Sequence, residues 1–415
     1  MPKAHVLAIG DELLSGETVD TNSSYLDGLL ERIGWTVTRH LTVADDLDAI
    51  AAAFTEASKD ADLILSTGGL GPTRDDLTLE GLAMALGCGL RRDEGVIESI
   101  RARFASFGRE MTPNNERQAM VPEIGEVLEN EVGTAPSFTA ELNGARVFLM
   151  PGVPREVRWL MEHRVLPRIR PGDVFRLRRT IKVVGLGESR LEHSIREIVL
   201  AHRRDVTFGF RTLGLENHIK LLAEGDDREV KLGAAQAALT ELLGDRIYGV
   251  DEDVHAEVTM RALVAAGATV AFAESCTGGL VAKLLTDVPG SSACFLGGVV
   301  AYANAAKVAL LGVSEATLAE HGAVSEAVAA EMAAGARERF ASTWAVSTTG
   351  IAGPTGGTDT KPVGTVCLGV AGPDGVEAKT LRFPGERTWV RTATATAALD
   401  VLRTRVGGGA LPASV

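Results

Sequence analysis

Short apolar stretches alternate with amphipathic ones along the first part of the chain. The apolar runs, each of strand length, are AHVLAI (4–9), VTRHLTV (37–43), DLILSTGG (62–69) and RVFLM (146–150). Between the first two, Leu26, Leu29, Leu30 and Ile33 recur at helical spacing. Strands alternating with helices are typical of βαβ units, so this part of the chain is predicted to form a parallel sheet covered by helices.

The pattern changes after the segment IRPGD (169–173), in which Pro and Gly separate two periodic regions. The next stretch is predicted as strand, helix, two strands and helix, a small α+β arrangement that ends near Tyr248. A further alternating series continues almost to the end of the chain. We therefore predict an α/β domain over 1–170, a small α+β domain over 173–249 and a second α/β domain over 253–408.

Composition narrows the class of protein. The 415 residues include 42 basic and 55 acidic side chains, a formal net charge of −13, which argues against a large surface for nucleic acid or anionic membranes. The four cysteines are widely spaced and form no CxxC motif, which argues against a zinc site or a disulfide framework. The apolar stretch near the amino terminus is too short for a signal sequence. We therefore expect a cytoplasmic protein without a membrane anchor.

The first segment with candidate chemistry is STGGLGPTRDDLTLEGLA, a strand followed by a glycine-rich turn and a helix. Gly68, Gly69 and Gly71 permit close backbone approach, and a helix amino terminus attracts phosphate. Asp75 and Asp76 repel a bare phosphate, so they favour a divalent metal between carboxylate and phosphate. Alternatively, Asp75 caps the helix and Asp76 complements its dipole.

A second candidate site begins in AFAESCTGGLVAKLL, where Ser275 ends an apolar strand just before Gly278 and Gly279. A hydroxyl on such a strand-to-helix turn is exposed to a cleft, and helix N–H groups can stabilise an oxyanion. This placement predicts a nucleophile. The alternatives are that Ser275 is only a helix cap, or that the adjacent Cys276 is the nucleophile.

The companion segment FLGGVVAYANAAKVALLGV contains Tyr302, Asn304 and Lys307. From the first turns of a helix, Lys307 is predicted to reach the Ser275 hydroxyl, where a desolvated amine can act as a base. No histidine lies in these motifs, so a Ser/Lys/Tyr arrangement is preferred over a Ser/His/Asp triad. The alternatives are a surface lysine and a core tyrosine.

Two further segments end in polar residues at predicted strand or helix termini. One is GAVSEAVAAEMAAGAR, with Ser325 at a helix start, and the other is AVSTTGIAGPTGGTDTKPVGTV, which combines hydroxyls with a glycine-rich loop. Polar residues at the ends of several predicted strands and helices favour a single phosphate-bearing ligand bound among them.

These motifs carry a resemblance that covers nearly the whole chain. GGLGPTRDDLT and PGVP resemble the motifs of molybdopterin-binding domains, and IGDELLSG with VDTNSSYL extends the match. AESCTGG, PGSSACFLGGVVAYANAAK, GAVS and TGIAGPTGGTDTKPVGTV are similar to the nicotinamide-nucleotide amidase family. Together they identify the chain as a member of the CinA (competence/damage-inducible protein) family. The α+β module between them resembles a KH-like fold but lacks the GxxG loop that grips nucleic acid.

The resemblance implies two activities. The first domain would hydrolyse the pyrophosphate of ADP-ribose with a divalent metal (Mg, Mn or Co), with Asp76 and Asp75 as metal or water-positioning residues and Asn22 and Glu12 lining the pocket. The last domain would convert nicotinamide mononucleotide (NMN) to nicotinate mononucleotide and ammonia without a cofactor. The residues implied there are Ser275 as nucleophile, Lys307 and Tyr302 as proton-transfer partners, Thr349 and Gly350 as oxyanion or ligand contacts, Arg391 at the phosphate, and Thr277, Gly278, Gly279, Asn304 and Ser325 around the substrate.

Two other functions remain open at this stage. The first domain could bind molybdopterin or only nucleotides, and the protein could act as a competence or recombination accessory. Nucleic acid is not an expected partner because of the acidic net charge. A homodimer is implied by the resemblance alone.

Overall fold

The computed structural model describes residues 2–172 and 176–409. Within them the chain separates into two compact units, the first running to Leu177 together with Glu224–Asp226, and the second from Arg178 onward without that segment. The predicted boundary segment 169–173 ends in Asp173, which lies outside the described residues. The predicted α+β module belongs to the second unit, so its separation from the last domain stays a prediction.

Unit 1 is an α/β unit built on a six-stranded sheet of order β2-β1-β3-β8-β7-β6, with a separate β4-β5 pair. Its elements are β1 (Lys3–Ile9), α1 (Asp11–Leu14), α2 (Thr21–Arg32), β2 (Thr36–Val43), α3 (Leu47–Ala57), β3 (Leu63–Thr67), α4 (Thr78–Leu86), β4 (Leu90–Arg92), α5 (Glu94–Ser106), β5 (Met120–Pro122), β6 (Glu126–Leu128), β7 (Ser137–Leu142), β8 (Ala145–Met150) and α6 (Pro154–Leu160), with 3₁₀ turns at Pro113–Ala119 and Leu166–Arg168 and a π-helical stretch at Met161–Val165.

The sheet of unit 1 is buried on both faces because helices cover both sides. Leu63 and Leu65 of β3 pack with α2 and α6, whereas Ile64 between them packs with α3 and α4. β2, β1, β3 and β8 pair in parallel, as the alternation of elements predicts. β7 and β6 extend the sheet antiparallel, which our sequence analysis did not predict.

Two helices in unit 1 begin in different ways. Asp20 caps α2, and its Oδ1 accepts the Ser23 N–H at 3.0 Å. Helix α4 begins at Thr78 with no side-chain cap, so the alternative in which Asp75 caps this helix is wrong.

Unit 2 contains two sheets. Its elements are β9 (Arg176–Val184), α7 (Glu188–His202), β10 (Thr207–Leu213), β11 (Glu216–Glu224), α8 (Arg228–Leu243), β12 (Ile247–Val250), α9 (His255–Ala265), β13 (Val270–Glu274), α10 (Leu280–Thr286), β14 (Phe295–Val300), α11 (Asn304–Leu311), α12 (Glu315–His321), α13 (Glu326–Phe340), β15 (Trp344–Gly350), β16 (Thr365–Gly372), β17 (Gly375–Arg382) and α14 (Arg387–Val406), with 3₁₀ turns at Gly244–Arg246 and Ser291–Ala293.

The smaller sheet of unit 2 has the order β10-β11-β9-β12, and the larger has the order β14-β13-β15-β16-β17. In the larger sheet β14, β13 and β15 are parallel, while β16 and β17 are antiparallel. Helices α9, α10 and α14 pack on one face and α11 and α13 on the other. The carboxyl ends of the three parallel strands therefore meet at one edge, where ligands bind in open α/β sheets. No helix in the described ranges is long and apolar enough to cross a membrane.

Candidate active site

The carboxyl edge of the larger sheet in unit 2 brings Ser275 and Lys307 together. Ser275 follows the central strand β13, and its N–H donates to the Thr348 carbonyl at 2.8 Å, which fixes the residue beside β15. Lys307 extends from α11, and its Nζ lies 3.0 Å from Ser275 Oγ. Only 8% of Ser275 and 1% of Lys307 are exposed. The sequence-based expectation that these two groups face each other agrees with this geometry.

The surroundings of Lys307 disfavour its charged form. Burial lowers the pKa of Lys307, and its Nζ contacts a hydroxyl and two carbonyl oxygens rather than a carboxylate. Besides Ser275, the amine contacts the carbonyl oxygens of Ala301 at 3.0 Å and Tyr302 at 3.3 Å. A neutral amine has two N–H donors and one lone pair, so donation to both carbonyls leaves the lone pair for the Ser275 hydroxyl. The amine is thus arranged as a general base for this hydroxyl.

The turn after Ser275 is held by a buried carboxylate that sequence reasoning missed. Glu274, 2% exposed, accepts the N–H groups of Gly279 at 2.8 Å, Val281 at 3.1 Å and Ala282 at 2.8 Å. The first N–H groups of α10 are therefore occupied, which corrects the expectation that they stabilise an oxyanion. The position of an acidic residue directly before Ser275 was the only available sequence signal.

The other residues implied for proton transfer or oxyanion binding have structural partners. Tyr302 is 61% exposed, and its hydroxyl accepts from Arg387 at 3.0 Å rather than contacting the Ser275–Lys307 pair. The Thr349 hydroxyl is buried and donates to the Ala323 carbonyl at 2.7 Å. In this arrangement Tyr302 contacts Lys307 only through its backbone carbonyl, and Thr349 anchors a neighbouring loop, so their proposed chemical roles stay predictions.

Three of the residues predicted around the substrate form the turn that follows Ser275. Thr277 bonds through its hydroxyl to that of Thr348 at 2.7 Å, and its carbonyl accepts from Arg391 at 2.8 Å. Gly278 and Gly279 have φ values of +61° and +94°, which L side chains rarely adopt.

Three further predicted positions lie on the surrounding elements. Ser325 caps α13 by accepting the Val328 N–H at 3.3 Å and donates to a loop carbonyl, so its hydroxyl has a structural role. Asn304 is exposed at the first turn of α11, and Gly350 ends β15. A Cβ at Gly350 would lie 2.8 Å from a Val366 methyl group, so close packing explains this glycine.

Cys276 is a poor nucleophile in this environment. Burial raises the pKa of its thiol to about 12, and the side chain is only 5% exposed. The thiolate is the reactive form of cysteine, so a protonated thiol disfavours this alternative.

Unit 1 contains a separate cleft of about 600 Å³, here called the glycine-loop cleft. Its walls include Gly68, Gly69, Gly71, Glu12, Asp75 and Asp76, as the sequence predicts, and also Asp45, Gln118 and Glu156, which sequence reasoning missed. Asn22 instead lines an adjacent space of about 110 Å³ with Glu12, and its amide donates to the Gly152 carbonyl at 2.7 Å. Asn22 thus holds the PGVP turn against this side of the unit.

The carboxylate of Asp76 braces the glycine loop. Its Oδ1 accepts the Gly71 N–H at 2.7 Å, and its Oδ2 accepts the N–H and hydroxyl of Thr73 at 2.8 and 2.5 Å. Asp75 is exposed beside it. No group of three or more His, Cys, Asp or Glu side chains in the described part of the chain is arranged to hold a metal ion. The protein side chains alone therefore do not form a complete metal cage, and a metal role for Asp75 and Asp76 stays a prediction.

Negative charge is concentrated on one side of this cleft. Asp11 and Asp45 exchange backbone-to-carboxylate hydrogen bonds at 2.9 and 3.2 Å. Burial, together with the charges of Asp11, Glu12 and Asp75, raises the pKa of Asp45. The position of Asp45 just after β2 was the available sequence signal, since polar residues at strand ends tend to line ligand sites.

Two family models match separate parts of the chain, one in each unit. Residues 5–171 match the family model described as "Probable molybdopterin binding domain", and residues 252–406 match "CinA C-terminal domain". The chain is therefore an α/β protein with a molybdopterin-binding-like amino-terminal domain and a CinA-like carboxyl-terminal domain, which confirms the predicted fold class.

Relatives extend the match over the full length. A CinA-like protein of Anaeromyxobacter dehalogenans is 46% identical over 97% of this chain and 99% of its own length, and one of Myxococcus xanthus is 42% identical over 97% of each. A crystal structure of the protein CinA with unknown function from Thermoplasma acidophilum is 39% identical in sequence and covers 40% of this chain and 98% of its own, with a TM-score of 0.38. The chain belongs to the CinA family.

Proposed function

We propose that unit 2 is an amidase that hydrolyses the carboxamide of NMN, with Ser275 as nucleophile and Lys307 as general base. The observation that carries the proposal is the 3.0 Å contact between Ser275 Oγ and a buried lysine amine. A neutral amine beside a hydroxyl is the arrangement that activates serine without histidine. The resemblance of the surrounding motifs to nicotinamide-nucleotide amidases supports the choice of substrate.

The proposed reaction has two halves. Ser275 Oγ attacks the amide carbon while its proton passes to Lys307 Nζ. The C–N bond then breaks, and the departing nitrogen takes that proton and leaves as ammonia. A water molecule attacks the resulting ester with Lys307 again accepting a proton, which releases the carboxylic acid and restores the Ser275 hydroxyl.

Positive charge beside the nucleophile turn supports a phosphate-bearing substrate. Arg387 and Arg391 lie one turn apart at the start of α14, and Arg391 contacts the turn directly. Guanidinium groups bind phosphate through paired N–H donors. We therefore expect NMN to be hydrolysed much faster than nicotinamide, which has the same amide but no phosphate.

The test is ammonia release from NMN by the full-length protein, with identification of the second product. Ser275→Ala is expected to abolish ammonia release with folding intact, and Cys276→Ala to retain most of it. The reverse result would move the nucleophile to Cys276, and ammonia release by neither the wild type nor Cys276→Ala would refute the amidase proposal.

For unit 1 we propose a second activity, hydrolysis of the ADP-ribose pyrophosphate with a divalent cation. The glycine-loop cleft supports it, because carboxylates of Glu12, Asp45, Asp75, Asp76 and Glu156 line a space beside backbone suited to phosphate. Such a charge distribution repels a free phosphate and favours one that carries a cation. Mg²⁺ typically uses one or two carboxylates and takes its other ligands from phosphate and water, so an incomplete protein cage suits it.

The two proposed activities differ in their need for metal. ADP-ribose cleavage to AMP and ribose 5-phosphate is expected to need added Mg²⁺, Mn²⁺ or Co²⁺ and to stop with EDTA, while ammonia release from NMN continues. Intact ADP-ribose in every metal would favour the alternative that unit 1 only binds a pterin or a nucleotide.

A further inference from the structure

Unit 1 has a second cavity of about 240 Å³, here called the α5 cavity. Its floor is apolar, because Val96 and Ile100 from the first turns of α5 meet Val127 of β6, with Pro136 beside them. Ser99 on the exposed side of α5 lies at its edge. Apart from Thr134 and Ala135, the residues that line it do not line the glycine-loop cleft.

A loop over 129–136 separates the α5 cavity from the glycine-loop cleft. The buried Asn130 amide donates to the Ala135 carbonyl at 2.9 Å and to Glu156 Oε2 at 2.7 Å, and its own oxygen accepts the Val132 N–H at 3.2 Å. A Cβ at Gly133 would lie 2.0 Å from Glu156 Oε2, so a larger residue there would displace this carboxylate from the Asn130 amide. These hydrogen bonds hold the loop between the two cavities.

The 129–136 loop contributes residues to both cavities. Thr134 and Ala135 line both the α5 cavity and the glycine-loop cleft. A ligand that passes over these two residues has one end in each cavity. The smaller volume of the α5 cavity, below the roughly 300 Å³ of ordinary small-molecule pockets, suits one part of a ligand rather than the whole.

The lining of the α5 cavity offers no positive charge to a phosphate. Its charged residues are Asp93, which pairs with Arg91 at 2.6 Å, and Glu129, which lies 3.9 Å from Arg164, and no lysine or arginine of the described chain lines the cavity itself. Asp93 already caps α5 by accepting the Val96 N–H at 3.2 Å, so the helix amino terminus is neutralised by the protein itself. An apolar floor with acceptor groups at the rim suits a flat, uncharged ring that carries N–H donors.

We propose that the α5 cavity binds the nucleobase of a nucleotide whose phosphates occupy the glycine-loop cleft, and that this base is a neutral heteroaromatic ring with an amino group. The inference rests on the nucleotide function proposed for unit 1. It assigns the two cavities separate tasks, with phosphate bound on the glycine side of the 129–136 loop and the base on the α5 side.

The test uses two ligands that cannot be hydrolysed, α,β-methylene-ADP-ribose and methylenediphosphonate, titrated calorimetrically into the full-length protein with Mg²⁺. Ser99→Trp fills the α5 cavity from an exposed position. We expect it to weaken binding of the ADP-ribose analogue by about tenfold or more and to leave methylenediphosphonate binding unchanged. Ser106→Trp is the matched control, the same change at an exposed site of the same helix outside the cavity, and it should alter neither affinity.

The other possible results of these titrations would overturn either the base site or the nucleotide function of unit 1. Equal binding of the ADP-ribose analogue by Ser99→Trp and the wild type would overturn the base site, as would equal wild-type affinity for both ligands, and both results would leave the phosphate cleft intact. Wild-type protein that binds neither ligand would overturn the nucleotide function of unit 1 and the base site with it. The unchanged affinity for methylenediphosphonate verifies that the tryptophan variant is folded.

Discussion

Replacing Lys307 by methionine removes the amine but keeps an unbranched side chain of similar length. In the proposed mechanism this amine accepts the Ser275 proton across the observed 3.0 Å contact. A positioned general base typically contributes about 10²–10⁴-fold to the rate, so kcat/KM for NMN is expected to fall by this factor in Lys307→Met. The KM should change less than kcat, because the buried amine is not accessible to a substrate phosphate.

The same substitution makes two opposing contributions to the free energy of unfolding. The carbonyl oxygens of Ala301 and Tyr302 lose the donor that now satisfies them, and an unsatisfied buried acceptor costs about 1–3 kcal/mol. Removing a polar amine from an apolar site offsets part of this loss. Urea denaturation should therefore show a folded variant of similar stability, which separates the catalytic loss from unfolding.

The pH profile gives an independent measurement of the same group. Because burial lowers the pKa of Lys307, the wild-type kcat/KM should rise with pH along a limb whose midpoint lies below the ordinary lysine value of about 10.4. In Lys307→Met this limb should disappear. Ammonia release measured from acidic to alkaline pH provides both quantities.

The matched control is Lys283→Met, which removes an exposed lysine that pairs with Asp287 on α10. This variant should keep the wild-type rate and pH limb. A Lys307→Met protein that retains wild-type kcat/KM, or that loses activity while keeping the alkaline limb, would refute the assignment of Lys307 as the base.

Three further predictions test the supports of the fold and the site. Although burial opposes it, the His255 ring nitrogen 3.5 Å away and the Arg403 guanidinium, which donates to Asp400 Oδ1 at 2.7 Å, hold the pKa of Asp400 below its usual range. Its stabilisation should therefore disappear as pH falls below about 4, and Asp400→Asn should cost about 3–5 kcal/mol at neutral pH in urea denaturation; equal stability at pH 7 would contradict this. Gly68 has a φ of +100°, and Gly68→Ala would place a Cβ 2.1 Å from a carbonyl oxygen of β1. The substitution should therefore destabilise the protein by more than the about 1–3 kcal/mol that backbone strain alone costs. Gly16 has a φ of +77° and no atom near its Cβ position, so Gly16→Ala should show only that strain. Glu274→Gln should lower kcat for ammonia release by up to about a hundredfold through a displaced nucleophile turn, and an unchanged kcat would show that the turn does not need the carboxylate.

Local patterns predicted the fold and the central pair well because both depend on short-range chemistry. Strand and helix periodicity placed Ser275 at a strand end and Lys307 one helix turn into α11, and parallel strands bring such ends to one edge. The antiparallel part of the sheet was missed although one of its signals is local. β7 and β8 are joined by Asn143 and Gly144, both at positive φ, and Asn-Gly between two strands is typical of a tight hairpin.

Side-chain partners account for most of the remaining differences. The pattern around Tyr302 indicated a third catalytic group, but which way its ring points depends on Arg387, a residue far away in the sequence. Likewise, Asp76 is acidic and lies beside glycines, which suggests a metal ligand, yet the close N–H groups of Gly71 and Thr73 occupy its oxygens. A residue type indicates which contacts are chemically suitable, whereas the tertiary structure decides which of them form.

The two candidate sites differ in their electrostatic surroundings. Around Ser275, burial disfavours charged side chains, because it lowers the pKa of Lys307 and raises that of Cys276. Around the glycine-loop cleft, burial and then the charges of Asp11, Glu12 and Asp75 raise the pKa of Asp45. The phosphate with its own cation that we propose for unit 1 would offset this negative charge.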